Sequence, residues 1–407
     1  MSSVPEVIAH LPKRAPELLG RLQTWAEINS GSGHLAGLER MAAALADAFG
    51  CLPGAVVERV ALGGTTAQAL RVRMRPQAAR QILLNGHYDT VYEANDPFQR
   101  CSSLDGQTLR GPGVADMKGG LVVMLAALES LEATPEAASL GWEVLLTPDE
   151  ETGSQGSAPL FIESARRHRL ALVFEPARTN GDLVHSRKGT GEYIATCRGR
   201  AAHAAQVPNP GRNAILALAE FLLAAARIPE ALPGVLVTVG NIRGGGAATN
   251  VVPDFAQAEL DVRVTRTTDQ AALVGRLQAL ADTINARDGF RLTLEGGFNR
   301  PPKECGPVEE AAFAAWRAAA ADLGLAPFSW VHSGGGSDGN LLSAAGLPNL
   351  DGVGPIGDHL HSDRECLHVP SLVERAQIAA LFLSRYARGE IDLPPVAVTL
   401  RVPLRIR

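Results

Sequence analysis

No run of about 18 apolar residues occurs anywhere in this 407-residue chain, so no membrane-spanning helix is expected. Residues 1–20 contain no apolar core of a secretory signal, which points to the cytoplasm. Basic charge is not in excess. The 38 Lys and Arg face 43 Asp and Glu, and a net charge of −5 leaves no electrostatic footprint for nucleic acid. Cysteine is sparse and scattered: Cys51, Cys101, Cys197, Cys305 and Cys366 are odd in number and form no C-x-x-C pair. That argues against a disulfide framework and fits a reducing compartment. What remains is the composition of an ordinary globular protein, 46% hydrophobic and 20% charged. The chain is too long for one ordinary core, so two domains are expected.

The chain is organised around Gly86-His87-Tyr88-Asp89-Thr90-Val91, which follows the apolar run 81–85 and ends a buried strand. In open α/β sheets, ligands bind at that end of a strand. Residues two apart in an extended segment share a face, so Asp89 can fix the His87 imidazole behind a metal. Ahead of this stretch, apolar spacing predicts helices over 14–29 and 35–49 and a strand over 69–75. A loop over 93–114 leads into Gly113-Val114-Ala115-Asp116-Met117-Lys118-Gly119-Gly120 and an apolar helix over 121–131. Asp116 reads either as a helix N-cap or as a metal carboxylate on a rigid helix start. A strand over 141–147 runs into Pro148-Asp149-Glu150-Glu151-Thr152. Adjacent residues there point to opposite sides, so Glu150 and Glu151 can do different jobs, unless the cluster is only a solvated turn. A strand over 170–174 ends at Glu175, whose charge needs solvent or a cation.

From about residue 185 the pattern changes. Strands over 188–199, 235–242, 255–264 and 290–294 and helices over 213–226 and 269–287 follow the order βαββαβ, which is ferredoxin-like. This unit of about 110 residues interrupts the βα pattern, because that pattern resumes with a helix over 308–323, a strand over 327–332 and helices over 338–345 and 371–387. Gly334-Gly335-Gly336-Ser337-Asp338-Gly339 opens one of these helices. Gly335, Gly336 and Ser337 are candidates to hold a substrate anion on free N–H groups; the alternative is a plain loop. In Asp358-His359-Leu360-His361-Ser362-Asp363-Arg364-Glu365, either histidine could complete a metal site. The Pro-interrupted tail, 393–407, reads as an added edge strand.

Each piece is ambiguous alone. In their order, His-x-Asp, Gly-x-x-Asp-Met-Lys-Gly-Gly, Glu-Glu, Phe-Glu-Pro and His-Ser-x-x-Glu resemble the di-zinc aminoacylase and carboxypeptidase family of metallopeptidases, nearest its glutamate carboxypeptidase branch, over about residues 15–390. The resemblance implies an α/β catalytic domain, a mixed sheet flanked by helices, built from 1–184 and 298–407. A ferredoxin-like βαββαβ dimerisation domain would be inserted at 185–297. It implies two Zn²⁺ per subunit, for which Co²⁺ or Mn²⁺ could substitute. His87 and Glu175 would bind one metal, Glu151 and His361 the other, and Asp116 both. His361 rather than His359 stands in the His-Ser-x-x-Glu frame. Asp89 would orient His87, and Glu150 would be the general base in hydrolysis of an amide bond. His203, in Arg200-Ala201-Ala202-His203, would reach into the partner subunit's site to stabilise the oxyanion. Asn250 and Arg263 match positions that contact substrate. The implied partners are a small N-acyl amino acid or short peptide and a second copy of the chain.

There is one departure. The glutamate carboxypeptidase branch has an Arg ahead of the Gly-rich loop, where this chain has His332. An imidazole is a poorer carboxylate clamp than a guanidinium, so a strict demand for C-terminal Glu is not expected. The competing readings are a deacylase of acetylornithine or succinyl-diaminopimelate type, with the same bond chemistry, and a non-catalytic metal-binding protein on this fold. The presence of Glu150 speaks against the latter.

Overall fold

The structure, a computed structural model, describes residues 6–63 and 67–395. Of the tail expected as an edge strand, residues 396–407 lie outside the described residues. The chain divides into two compact units: Met1–Ser186 with Cys305–Ser333 and Ser337–Arg407, and Arg187–Glu304 with Gly334–Gly336.

Alternation along the strands builds the larger unit. On Arg80–His87, Ile82 and Leu84 belong to one apolar cluster and Leu83 to another. Val144 and Leu146 part from Leu145 in the same way, as do Leu172 from Ala171 and Val173. Successive side chains of a strand point to opposite faces, so the two clusters are the two faces of one sheet. Both faces are covered, which is why these strands read as unbroken apolar runs. On one face lie helices Ala15–Ala26, Leu35–Gly50, Gly119–Glu132, Pro307–Asp322 and Pro370–Arg388, which contribute Leu18, Met41, Val122, Trp316 and Phe382. On the other lie the shorter Ala158–Ala165 and Asp338–Ala344, with Phe161 and Leu342.

Among the described residues the sheet has eight strands, in the order Val56–Ala61, Gln68–Met74, Leu140–Thr147, Arg80–His87, Ala171–Val173, Asn349–Asp351, Leu183–Arg187, Trp330–Ser333. The four from Leu140–Thr147 to Asn349–Asp351 run parallel. Their neighbours on each side, Gln68–Met74 and Leu183–Arg187, run antiparallel to them. The parallel strands therefore deliver His87, Thr147 and Val173 to one edge of the sheet. A second, smaller sheet pairs Gly357–Asp358, Cys366–His368, Thr108–Arg110 and Ser102–Ser103. It occupies part of the stretch expected to be all loop, because two- and three-residue strands leave no periodicity to read.

Helix Gly119–Glu132 is buried almost all round, and it packs against Pro370–Arg388. Its second residue cannot carry a side chain: a Cβ on Gly120 would lie 2.0 Å from the carbonyl oxygen of Phe174. The helix start and the end of the Ala171–Val173 strand are thus in backbone contact, one residue short of Glu175.

The second unit is a four-stranded antiparallel sheet in the order Val235–Gly244, Phe255–Val264, Gly189–Arg198, Arg291–Arg300, with helices Ala214–Ala225 and Thr267–Asn285. Tyr193, Ala195, Leu260, Leu218 and Leu277 belong to its core. The closing strand, expected over 290–294, continues to Arg300, through Gly296 and Gly297, which carry no apolar alternation. Val235–Gly244 is an edge strand, and it exposes Leu236, Val239 and Ile242.

Gly120→Ala forces the helix off the strand end. It is expected to lower unfolding free energy by about 1–3 kcal/mol, the usual range for overpacking, as read from denaturant titration.

Candidate metal centre

Asp89 organises the floor of the site. Its fully buried carboxylate accepts hydrogen bonds from the backbone N–H of Glu150 and of Glu151, each at 3.1 Å, and from Ser32 Oγ at 2.9 Å. The same carboxylate lies 3.3 Å from His87 Nδ1. One group therefore fixes both the imidazole on its strand and the turn that carries the two glutamates. With Nδ1 facing Asp89, His87 presents Nε2 to the site, 3.1 Å from Asp116 Oδ1 and 3.7 Å from Glu175 Oε1.

Asp116 is not a helix cap. It sits in a single π-type turn, Val114–Lys118, with φ −112° and ψ 92°, and the helix begins three residues later at Gly119. While Asp116 Oδ1 faces His87, Oδ2 lies 3.2 Å from His361 Nε2. That nitrogen is in turn 3.3 Å from Glu151 Oε2. His361 belongs to the hairpin loop between Gly357–Asp358 and Cys366–His368, in left-handed backbone conformation at φ 59°. His359 in the same loop turns its Nε2 toward Asp358 at 3.7 Å, away from this group.

The charges are mutually dependent. Burial opposes a charged His87, yet hydrogen bonds to Asp116 and Asp89 and the charge of Glu150 raise its pKa well above the imidazole range. Hydrogen bonds to Asp116 and Glu151 lift His361 to about 11. Burial works against an ionised Asp116, but His361 and His87 outweigh it and hold the pKa below the carboxylate range. Burial raises Glu151 to about 7, against the pull of His361. The cluster thus gathers protons where a divalent cation would displace them. His87, Asp116 and Glu151 offer ligand atoms all within 4.8 Å of one another, and Glu175 and His361 flank them. Imidazole nitrogen and carboxylate oxygen without thiolate suit Zn²⁺, Co²⁺ or Mn²⁺.

The remaining sequence candidates are not among these ligand groups. His203 and Asn250 are exposed neighbours in the second unit. His203 pairs with Val251, and the Asn250 carbonyl accepts from Ala204 N–H at 2.9 Å. Arg263 grips Asp261 with two nitrogens at 2.9 and 3.0 Å and donates to Gly334 O at 3.2 Å. The carbonyls of Gly335 and Gly336 accept from Arg187 Nη1, each at 3.3 Å. His332 Nδ1 lies 2.9 Å from Ser186 Oγ. Ser337, expected to meet substrate, is fully buried. Its hydroxyl accepts from Gly339 N–H and donates to Asp351 Oδ2 at 2.9 Å, so it caps helix Asp338–Ala344 instead. Two residues around the centre were given no role by the sequence reading, Ser32 and Lys118, and Glu365 entered it only as the end of the His-Ser-x-x-Glu motif. The Lys118 ammonium is buried, which lowers its pKa to about 8, and donates to Ile28 O at 2.8 Å. Of the two, only Lys118 carried a signal, since a lysine amid apolar residues and glycines must find a buried acceptor.

Comparisons with known proteins identify the family. Residues 83–385 match the profile of peptidase family M20/M25/M40. Carboxypeptidase G2 of Pseudomonas sp. (strain RS-16) is 26% identical over 386 residues, which cover 92% of this chain and 90% of that protein. Succinyl-diaminopimelate desuccinylase of Stenotrophomonas maltophilia is 30% identical over 316 residues, 73% of this chain and 81% of the relative. The fold is shared with the YXEP protein of Bacillus subtilis, described as a dinuclear metal-binding peptidase of the M20 family. The TM-score is 0.68 at 14% identity, over 93% of this chain and 99% of that one. With its profile match spanning most of the catalytic strands, and with relatives of both hydrolase types, the chain is a metallo-hydrolase and belongs to peptidase family M20/M25/M40.

Proposed function

We propose that this chain hydrolyses an amide bond to release the C-terminal amino acid of an N-acyl amino acid, a folate-like conjugate or a short peptide. One observation carries the reading: the two oxygens of Asp116 face two separate nitrogen–carboxylate pairs, at 3.1 Å on the His87 side and 3.2 Å on the His361 side. In this reading His87 and Glu175 hold one zinc, His361 and Glu151 hold the other, and Asp116 serves both. Cobalt or manganese would suit the same donors. When bound, such a metal pair supplies Lewis acidity, which favours deprotonation of water and polarises the amide carbonyl.

The protein's own groups do the rest. Glu150 takes a proton from water as the amide carbon is attacked, then passes it to the departing amine nitrogen. Its backbone N–H, bonded to Asp89, fixes the turn from which it acts. Asp89 keeps the Nδ1 proton of His87 in place and so leaves Nε2 free to coordinate. In this reading Arg263, Asn250 and the backbone of Gly335 and Gly336 meet the substrate carboxylate, and Ser337 holds their turn. His332 in the Arg position widens the choice of C-terminal residue. His203 acts in the site of a partner subunit. The homodimer is proposed to form through the second unit. The exposed edge strand Val235–Gly244 supports this, as do exposed Leu216 and Leu223 on the neighbouring helix. The five cysteines are free, which suits a cytoplasmic setting. Among the described residues no helix is long and apolar enough to cross a membrane.

The 30% identity to a desuccinylase supports a second reading, deacylation of an N-succinyl or N-acetyl amino acid at the same centre. A panel that varies the acyl group (acetyl, succinyl, benzoyl, aminoacyl) and the C-terminal residue (Glu, Asp, Ala, Leu, Arg) separates the two. Turnover across bulky acyl groups supports the carboxypeptidase reading, and turnover of acetyl or succinyl donors alone supports the deacylase.

Three outcomes are expected. Glu150→Gln keeps its metal and its fold but loses on the order of 10²–10⁴-fold in rate; a variant with the parent rate would remove Glu150 from the mechanism. A strong chelator abolishes turnover. Zinc returned at 100 times its Kd restores turnover and adds about 2.7 kcal/mol to unfolding free energy, as read in denaturant titrations with and without zinc. His203→Ala is a nearly inactive dimer, and mixing it with Glu150→Gln subunits recovers one working site per heterodimer. No recovery on mixing counts against a trans-acting His203.

A further inference from the structure

Glu365 stands outside the proposed chemistry, yet its carboxylate meets four hydrogen-bond donors beside the centre. It is completely buried. Its Oε1 accepts from the backbone N–H of Ala115 at 2.8 Å and of Asp116 at 2.9 Å. Its Oε2 accepts from Gly113 N–H at 3.0 Å and from the Tyr92 hydroxyl at 2.8 Å. Three N–H groups of one turn converge on a point, an arrangement that binds an anion, and here the anion is the chain's own side chain. Burying a carboxylate is costly unless its lone pairs are met, and charge-assisted hydrogen bonds of this kind are the strong ones.

The other end of Glu365 is the His361 loop. Tyr92 shares its hydroxyl with Ser362 O at 2.8 Å, Arg110 Nε donates to Asp363 O at 2.7 Å, and Glu365 N–H returns to Ser362 O at 3.0 Å. Asp116 and His361 are 245 positions apart in sequence. One carboxylate ties the backbone of the first to the loop of the second.

We propose that Glu365 is a positioning residue for the metal pair: it sets the separation between Asp116 and His361 and thereby the affinity of the centre. The proposal rests on the metal-centre reading above. Glu365→Gln keeps the volume but replaces one acceptor with a donor, which then meets N–H groups that are donors themselves. Outer partners of metal ligands of this kind typically contribute 10–100-fold to metal affinity.

The test is metal affinity, read by competition of metal-free protein with a chromogenic chelator for zinc, together with the visible spectrum after loading with cobalt. Glu365→Gln is expected to bind at least one metal about 10–100-fold more weakly, to change the cobalt spectrum, and to regain kcat as free zinc is raised. Tyr92→Phe leaves the N–H clamp but frees one oxygen and the Ser362 carbonyl; it is expected to lose several-fold in affinity. It carries the test if Glu365→Gln does not fold. Wild-type affinity and an unchanged cobalt spectrum in the folded variants would overturn the role of Glu365 and leave the metal centre standing. A wild-type chain that binds no metal would overturn the centre itself, and this role with it.

Discussion

Five carboxylates, those of Asp89, Asp116, Glu150, Glu151 and Glu175, share a largely buried corner with two imidazoles, and their mutual repulsion is the constraint on which the larger unit is built. In a medium of low dielectric, such a gathering is stable only if every charge finds hydrogen bonds or a cation. The backbone meets much of the demand. Asp89 is held by two N–H groups of the glutamate turn, and Glu365, just beneath, by three N–H groups of the Asp116 turn. The remaining excess of negative charge shows in the raised pKa of both imidazoles, while burial raises that of Glu151.

The fold supplies the positions. Parallel strands end together, so residues distant in sequence arrive side by side: His87 beside Thr147 in register, with Glu150 and Glu151 just beyond, and Glu175 two residues past Val173. The helix start that follows Asp116 is pressed onto the same edge by the absence of a side chain at Gly120. His361 comes from a hairpin of the small sheet. A short hairpin is a weak platform, and it is here that hydrogen bonds from Tyr92, Arg110 and Glu365 accumulate.

Much of this was legible in the sequence because it rests on local pattern. The apolar runs that end at His87, before Glu150 and at Glu175 are strands because both sheet faces are covered. The βαββαβ order of the second unit is likewise written in its periodicity. Asp116 was legible only as one of two readings, since an Asp before an apolar helix looks like a cap; what decides is a backbone turn without periodicity. Ser337 misled for the opposite reason. Its helix is too short to announce that the hydroxyl is engaged as a cap. The strands Leu183–Arg187 and Asn349–Asp351 and the small sheet escaped because pairing partners, not their own residues, make them strands. Glu365 was visible only as part of a motif, because its role depends on N–H groups some 250 positions earlier.

The nearly all-round burial of helix Gly119–Glu132 bears on how the chain is made. Its cover includes Pro370–Arg388, the last helix among the described residues, so a chain emerging from the ribosome presents part of this apolar rod uncovered for most of its synthesis. The second unit has no such wait, since apart from Gly334–Gly336 it is complete once Glu304 has emerged. Domains fold as units and early segments fold first during synthesis. The inserted unit is therefore the early folder. The unit that bears the candidate centre needs segments from both sides of that insertion in the sequence, and its central helix lacks part of its cover until Pro370–Arg388 has been translated.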